Sequence, residues 1–345
     1  MTDRRVWRVS RAGSLDRLAL EQESLEPPGP GQACVRVAAV GLNFADVFAC
    51  MGLYSATPAG AFIPGLEFAG TIEALGPDSA PWRVGDAVIG LTRFGAYATA
   101  VTVSTRYLHP LPPGWTAADG AAFPVQALTA WYAIDQLGAC KPGDAVLVHS
   151  AAGGVGLNAL ALLRARQARV VATIGHESKR AVLTAQGLEP RQIIVRDRTR
   201  FAAQLDEALA TNGLDGFHLV LDAVAGPFLK PALRRLRPAG RFVIYGSADL
   251  TPTASRPNWL RLGLQYLRRP RIDPLGMIEH NTSVMGFNLI WLWEQVERLG
   301  PAYEALARDT TAPPLIGRRF PFEQAPAALR FLQSGQSVGK VVLEV

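Results

Sequence analysis

AVLVHSAAGGVGLNALALLRA, residues 145–165, passes from an apolar β-type run through a glycine-rich turn directly into a helix-type pattern. Small residues at such a turn let the backbone approach a pyrophosphate, and the helix behind it presents free N–H groups and the positive end of its dipole. Within Ser150-Ala151-Ala152-Gly153-Gly154-Val155-Gly156, Ala151 takes the first glycine position of the GxGxxG pattern. The turn is therefore judged by its surroundings as well as by its letters. Working outward, AVLVH (145–149), RVVATI (169–174), QIIVR (192–196), HLVLDAV (218–224) and RFVIYGS (241–247) are apolar runs, each followed by helix-like sequence. This alternation predicts βαβ units on a parallel sheet, with TSVMGFNLI (282–290) as a sixth strand closing it.

The end of the second strand decides which dinucleotide suits the turn. NAD would want an Asp or Glu there to accept from the ribose 2′-OH, whereas RVVATIGHESKR places Ile174 and Gly175 at that point. Lys179 and Arg180 follow, and Arg196 ends the third strand beside them, so cations are available for a 2′-phosphate. NADPH is the expected cofactor, with Ala151, Gly153, Gly154, Val155 and Gly156 at the pyrophosphate and Lys179 and Arg196 at the 2′-phosphate. Ligands of open α/β sheets bind beyond the carboxyl ends of the strands, which places Thr129 of LTAW and Tyr245-Gly246-Ser247 toward the nicotinamide half.

The texture before residue 120 is different. ACVRVAAVG (33–41), FAGTIEALG (68–76), AVIGL (87–91) and AYATAVTV (96–103) are short strands punctuated by Gly and Pro, as in a partly open barrel. AAFPVQALTAWYAIDQLG (121–138) reads as a helix, and GKVVLEV (339–345) is again a strand, so the C-terminal end is expected to return to the first domain. A length of 345 residues suits two domains, and 49% apolar residues against 19% charged give ample core. The three cysteines, Cys34, Cys50 and Cys140, are dispersed, which argues against a disulfide framework and fits a reducing compartment. MTDRRVWRVSRAGS lacks an apolar signal core, so a cytoplasmic location is expected.

The net charge of +6 comes from 31 Arg and 4 Lys against 29 acidic residues, with no basic tail or nucleic-acid motif. No nucleic-acid partner is expected. Ala145 to Leu163 carries His149, Ser150 and Asn158 and is no membrane span, and membrane association is not expected either. The segment 256–275, RPNWLRLGLQYLRRPRIDPL, mixes aromatics with arginines and leaves four readings open: a packed helix with a basic outer face, a substrate lid, a dimer contact or a membrane-surface helix.

Taken together, GLNFADVFACMGLY (41–54), IPGLEFAGTIEALG (63–76), WRVGDAVIG (82–90), AAFPVQALTAWYAI (121–134), VLVHSAAGGVG (146–156), LDAVAG (221–226) and VGKVVLEV (338–345) resemble the medium-chain dehydrogenase/reductase superfamily over nearly the whole chain. The zinc-independent quinone oxidoreductase branch is the most similar, and PVQALTAW and GFNL resemble its vesicle amine transport protein homologues. The resemblance implies an α/β protein: a GroES-like catalytic domain (1–122 and 302–345) and a Rossmann domain (123–301), with NADPH in a cleft. It also implies Asn43, Asp46 and Tyr54 at the nicotinamide and substrate, and Phe287 of GFNL beside the cofactor. For Asp46 a helix-start role competes, since an Asp soon after the turn suits a cap. Zinc-dependent members have a Cys and a G-H-E histidine where this chain has Asn43 and Leu66, so no metal is expected.

Without a Lewis acid, carbonyl polarisation rests on hydrogen bonds, which suits a quinone or an α,β-unsaturated carbonyl whose charge is delocalised after hydride transfer. An enoyl reductase acting on a thioester is the nearest alternative, and a nucleotide-binding regulatory or membrane-associated protein with little turnover is one of another class. Residues 282–290 form an apolar edge strand with neither Pro nor Lys to blunt it, so a homodimer built on that strand is expected.

Overall fold

Alternating Ala, Val, Leu and Val in residues 145–148 send side chains to both faces of a sheet, and both faces are buried. The structure, a computed structural model, describes residues 2–310 and 312–345. It divides the chain into two units, one of residues 1–128, 252–257 and 289–345 and another of residues 129–251 and 258–288. In chain order the strands are β1 (Thr2–Val9), β2 (Leu18–Leu25), β3 (Gln32–Gly41), β4 (Glu67–Leu75), β5 (Ala87–Leu91), β6 (Ala100–Ser104) and β7 (Leu108–Pro110). Then come β8 (Ala145–Val148), β9 (Arg169–Ile174), β10 (Ile193–Val195), β11 (Phe217–Asp222), β12 (Leu236–Ile244) and β13 (Ser283–Gly286), and β14 (Ile316–Pro321) and β15 (Lys340–Glu344) end the chain. Four helices bear on the argument: α1 (Phe44–Cys50), α2 (Ala117–Ala121), α3 (Pro124–Trp131) and α4 (Gly154–Ala165).

The second unit is the expected parallel sheet, with strand order β10-β9-β8-β11-β12-β13. Every ladder in it is parallel. Val146 and Val148 pack with Leu160 and Leu163 of α4 on one face. Ala145 and Leu147 pack with Phe201 and Leu205 of the helix Phe201–Thr211 on the other. Strand order reverses beside β8, so the doubly wound arrangement puts its switch point at the turn from which the sequence reading began.

The first unit is built on a seven-stranded sheet of order β14-β15-β3-β4-β5-β7, with β6 paired to β3 and a separate β1-β2 hairpin. β15 runs antiparallel to β3, pairing Val342 with Gly41 and Leu343 with Val40, so the last strand of the chain lies against one of the first. Its core is one continuous cluster that includes Val35, Val37, Phe68, Ile72, Tyr97 and Leu343. Among the described residues no helix is long and apolar enough to cross a membrane.

Three sequence expectations are corrected in detail. The run 96–103 is a strand only from Ala100, because residues 97–99 turn to the hairpin instead: Trp7 N–H donates to Tyr97 O at 2.9 Å and Thr99 N–H to Arg5 O at 2.9 Å. The helix of 121–138 is broken into α2 and α3 and continues as a widened turn over Tyr132–Leu137. The strand of 282–290 stops at Gly286, since Phe287 makes a final bond to Ile244 O at 3.1 Å and its ring turns onto Tyr132.

Candidate functional site

In the first unit, Asn43 is the N-cap of α1, a place where a short polar side chain meets exposed N–H groups. Asp46, at the third helical position, returns the contact: its Oδ2 accepts from Asn43 N–H at 2.8 Å and from the Tyr97 hydroxyl at 3.2 Å. Burial pushes the Asp46 carboxyl up to about 7, against the opposing pull of the Asn43 N–H and the Lys340 charge. The capping geometry is thus realised at Asp46, in the core. Asn43 itself is held by two residues that sequence reasoning passed over as site residues, Glu67 and Lys340. Asn43 Nδ2 donates to Glu67 Oε1 at 2.7 Å, while Lys340 Nζ donates to Asn43 Oδ1 at 2.9 Å and also to Glu67 Oε1. Glu67 Oε2 accepts the Val125 N–H at 2.8 Å. Lys340 is 1% exposed and Glu67 fully buried. The signal was present in the sequence as a lysine, one of only four, leading the apolar strand KVVLE. Tyr54 follows α1 and packs with Ala56, Leu66 and Ile290 in a small apolar cluster.

In the second unit the glycine turn leaves β8 through Ser150, whose φ of +53° lies in the left-handed region. Gly153 is the N-cap of α4 and has no side chain to cap it, so first-turn N–H groups are left for an anion. Gly156 is obligatory for packing: a Cβ there would lie 2.5 Å from Ala151 Cα and 2.5 Å from its carbonyl oxygen. The cradle a dinucleotide would need is therefore a property of this backbone.

Beyond β9 and β10, Arg196 Nη1 donates to Thr173 Oγ1 at 2.8 Å, and Thr173 Oγ1 also contacts His149 Nδ1 at 3.1 Å. Burial pulls the Arg196 guanidinium down to about 10. Lys179 is pulled down first by burial and then by the Arg196 charge, so the two cations sense each other. Both would be relieved by a dianion. Glu177, the nearest acid that could serve a ribose 2′-OH, is instead paired with Arg180 at 2.5 Å.

At the other side of the sheet, Tyr245 follows β12, and its ring lies 6.1 Å from that of Phe287, which in turn lies 4.8 Å from Tyr132. Thr129, buried on α3, stands three residues before Tyr132. A Cβ at Gly246 would come within 2.7 Å of Ala223 O. The structure places residues 151–156, Lys179, Arg196, Tyr245, Gly246 and Phe287 after the carboxyl ends of strands of the second unit, leaves Thr129 on α3, and sets Asn43, Asp46 and Tyr54 at or just after α1 in the first. Sequence reasoning missed His149 and Asp222 as site residues along the same strand ends, beside the expected Tyr245. His149 Nε2, Asp222 Oδ2 and Tyr245 OH are buried without a hydrogen-bond partner among the described residues. Burial takes His149 down to about 4, and burial followed by the Asp222 charge raises Tyr245.

Comparison with known proteins fits both units. The Alcohol dehydrogenase GroES-like domain family matches residues 29–113 and the Zinc-binding dehydrogenase family residues 190–343. The human Synaptic vesicle membrane protein VAT-1 homolog is 32% identical over 336 residues, 96% of this chain and 84% of that protein. Among solved structures, the quinone oxidoreductase from Thermus thermophilus, described with its NADPH complex, superposes with a TM-score of 0.79 at 31% identity, covering 99% of this chain and 100% of that one. CurK enoyl reductase superposes with a TM-score of 0.80 at 28% identity, covering 99% of each. The zinc in the second family's name does not fit the residues present. Leu66 is apolar, the Asn43 amide is engaged with Glu67 and Lys340, and among the described residues no three His, Cys, Asp or Glu side chains are grouped to hold a metal. The chain belongs to the medium-chain dehydrogenase/reductase superfamily, in its zinc-independent VAT-1 and quinone oxidoreductase-like branch.

Proposed function

We propose that this protein is an NADPH-dependent, zinc-independent reductase that delivers hydride to a quinone or an α,β-unsaturated carbonyl. The observation that carries the reading is the pair Lys179 and Arg196 past a glycine turn, where Ile174 and Gly175 stand in place of an acid and Glu177 is occupied by Arg180. The NADPH named for the Thermus thermophilus enzyme, 31% identical, supports the same cofactor. When bound, the nicotinamide supplies the hydride. Ala151, Gly153, Gly154, Val155 and Gly156 hold the pyrophosphate, Lys179 and Arg196 the 2′-phosphate, and Thr129, Tyr245, Gly246 and Phe287 bound the nicotinamide half.

On the substrate side, the Tyr54 hydroxyl and the second Asn43 N–H, engaged among the described residues only by Gly41 O at 3.4 Å, orient the acceptor oxygen. Asp46 and the Glu67-Lys340 pair hold Asn43 in place. Leu66, buried with Ala56 and Ile290, offers an apolar wall and no Lewis acid, which favours acceptors that spread the incoming charge. The CurK likeness favours a second reading, an enoyl reductase acting on a thioester. Oxidation of NADPH and of NADH over a panel of quinones, enones and enoyl thioesters tests both. Turnover with NADPH on quinones or enones, unchanged by a chelator, is expected; turnover confined to thioesters selects the second reading, and a preference for NADH overturns the cofactor assignment.

We also infer a homodimer through residues 282–290. β13 is the outer strand of its sheet and pairs only with β12 among the described residues, so its second edge is open to the same strand of another copy. Light scattering is expected to give about twice 37.0 kDa for the natural chain and a monomer for Val284→Pro, which removes a ladder donor.

A further inference from the structure

The helix Trp259–Leu267 is turned the wrong way round for a helix that serves a protein core. Its least exposed positions are Leu262 and Gln265. Trp259 is 62% exposed, Leu260 77% and Leu267 72%, and Leu264 and Tyr266 are exposed as well. At 100° per residue Trp259, Leu267, Leu260 and Leu264 lie on one continuous arc, and that arc faces solvent. No residue of this helix is buried, and none is in the next one, Pro274–His280, where Leu275 and Ile278 point outward one turn apart. A nine-residue helix with no buried face is marginal by itself, so a covering partner would supply what packing does not.

The charges state which partner fits. Arg261, Arg268, Arg269 and Arg271 flank the apolar arc, and residues 258–272 contain no acidic residue. The Arg269 guanidinium lies 3.6 Å from the centre of the Tyr266 ring, at the border between the apolar arc and the basic one. A second copy meeting the helix Trp259–Leu267 across a two-fold axis would set these arginines against their own equivalents, with the nearest acids in sequence, Asp273 and Glu279, lying outside residues 258–272. A surface that is apolar within and anionic at its rim answers both parts at once.

We propose that the helix Trp259–Leu267 and its flanking arginines form a docking surface for an anionic lipid bilayer, with Trp259, Leu260, Leu264 and Leu267 entering the headgroup boundary and the arginines meeting lipid phosphates. This runs against the expectation from the sequence that the protein stays off membranes, and it does not depend on the reductase reading.

Sedimentation of the whole protein with vesicles tests it, comparing pure phosphatidylcholine with phosphatidylcholine containing about one-third phosphatidylglycerol. Binding to the anionic vesicles is expected, more than about tenfold weaker to the neutral ones and released by high salt. The double variants Leu260→Ser/Leu267→Ser and Arg268→Glu/Arg269→Glu should each lower vesicle binding about tenfold or more while leaving NADPH titration unchanged, which also reports that they fold. Failure to bind either vesicle, equal binding to both, or full binding by both variants overturns the proposal. So does a dimer that Leu260→Ser/Leu267→Ser converts to monomer in light scattering, because the patch would then be covered by a second copy.

Discussion

Glu67 and Asp222, one in each unit, are buried carboxylates treated in opposite ways. In the first, Glu67 spends both oxygens, Oε1 on Asn43 and Lys340 and Oε2 on the Val125 N–H. In the second, Asp222 uses Oδ1 on the N–H groups of Val224 and Ala225, at 2.7 and 2.9 Å, and leaves Oδ2 without a partner among the described residues. Both side chains are fully buried. Glu67, Lys340 and Asn43 make a closed network, in which removal of any of the three strands another, although the neighbouring Asp46 keeps its Oδ1 without a partner among the described residues. Asp222 lies in an open row along the strand ends, where polar atoms of His149, Asp222 and Tyr245 face unspent. A buried polar group without a partner is costly, so such groups gather where a ligand or water completes them.

Breaking the closed network should have the largest effect. Lys340→Met leaves Glu67 and the Asn43 carbonyl without their cation and is expected to lower unfolding free energy by about 3–5 kcal/mol in urea denaturation. Replacing both partners, Glu67→Met with Lys340→Met, should restore much of that loss, because no lone charge then stays buried. A double variant as unstable as the single one would show that the pair is not a closed unit.

The open row should reveal itself through pH. Burial holds native His149 near 4, below its ordinary 6.5, so between those values the unfolded chain binds more protons than the folded one. The sign is therefore a stability that is complete above about pH 6.5 and falls as pH drops toward 4, by about 2–4 kcal/mol from this residue. His109 in the first unit, also pulled down to about 4 by burial, adds a loss of the same sign. His149→Gln should cut the pH dependence of unfolding over that window by about one proton, leaving the His109 share. An unchanged slope would mean that His149 is protonated in the folded protein.

Smaller effects sharpen the contrast. Lys179→Ala should weaken NADPH binding by about 1–3 kcal/mol and leave NADH nearly unchanged in isothermal titration, with equal loss for both cofactors counting against the 2′-phosphate role. Asp222→Asn keeps both turn bonds through Oδ1 and should cost less than about 1 kcal/mol of stability in the same urea experiment, against the large cost at Lys340.

Much of the fold was legible because hydrophobic period and glycine placement are local signals. The runs at 145–149, 169–174 and 192–196 show their strands to within two residues, and Gly156 shows its turn because nothing larger than hydrogen clears Ala151. Cofactor class was legible for a similar reason: what matters is the identity of the residues after one strand, Ile174 to Lys179. The long-range pairings were not. Lys340 and Glu67 are 273 positions apart, and neither letter announces the other. The outward turn of Trp259, Leu260 and Leu267 was equally hidden, since an amphipathic pattern states that a face exists and not which way it points.

By itself the sequence determined a parallel sheet with a phosphate turn, a β-rich partner domain and a site without zinc-ligating side chains, because each depends on residue types within a few positions of one another. The return of the last strand to the first domain was expected too; only the tertiary structure decided that β15 pairs with β3 and carries Lys340 to Asn43 and Glu67, and that His149, Thr173, Arg196, Asp222 and Tyr245 share one edge. Those meetings are made by strand order and register, which bring side chains together from far along the chain, and no local rule of spacing contains them.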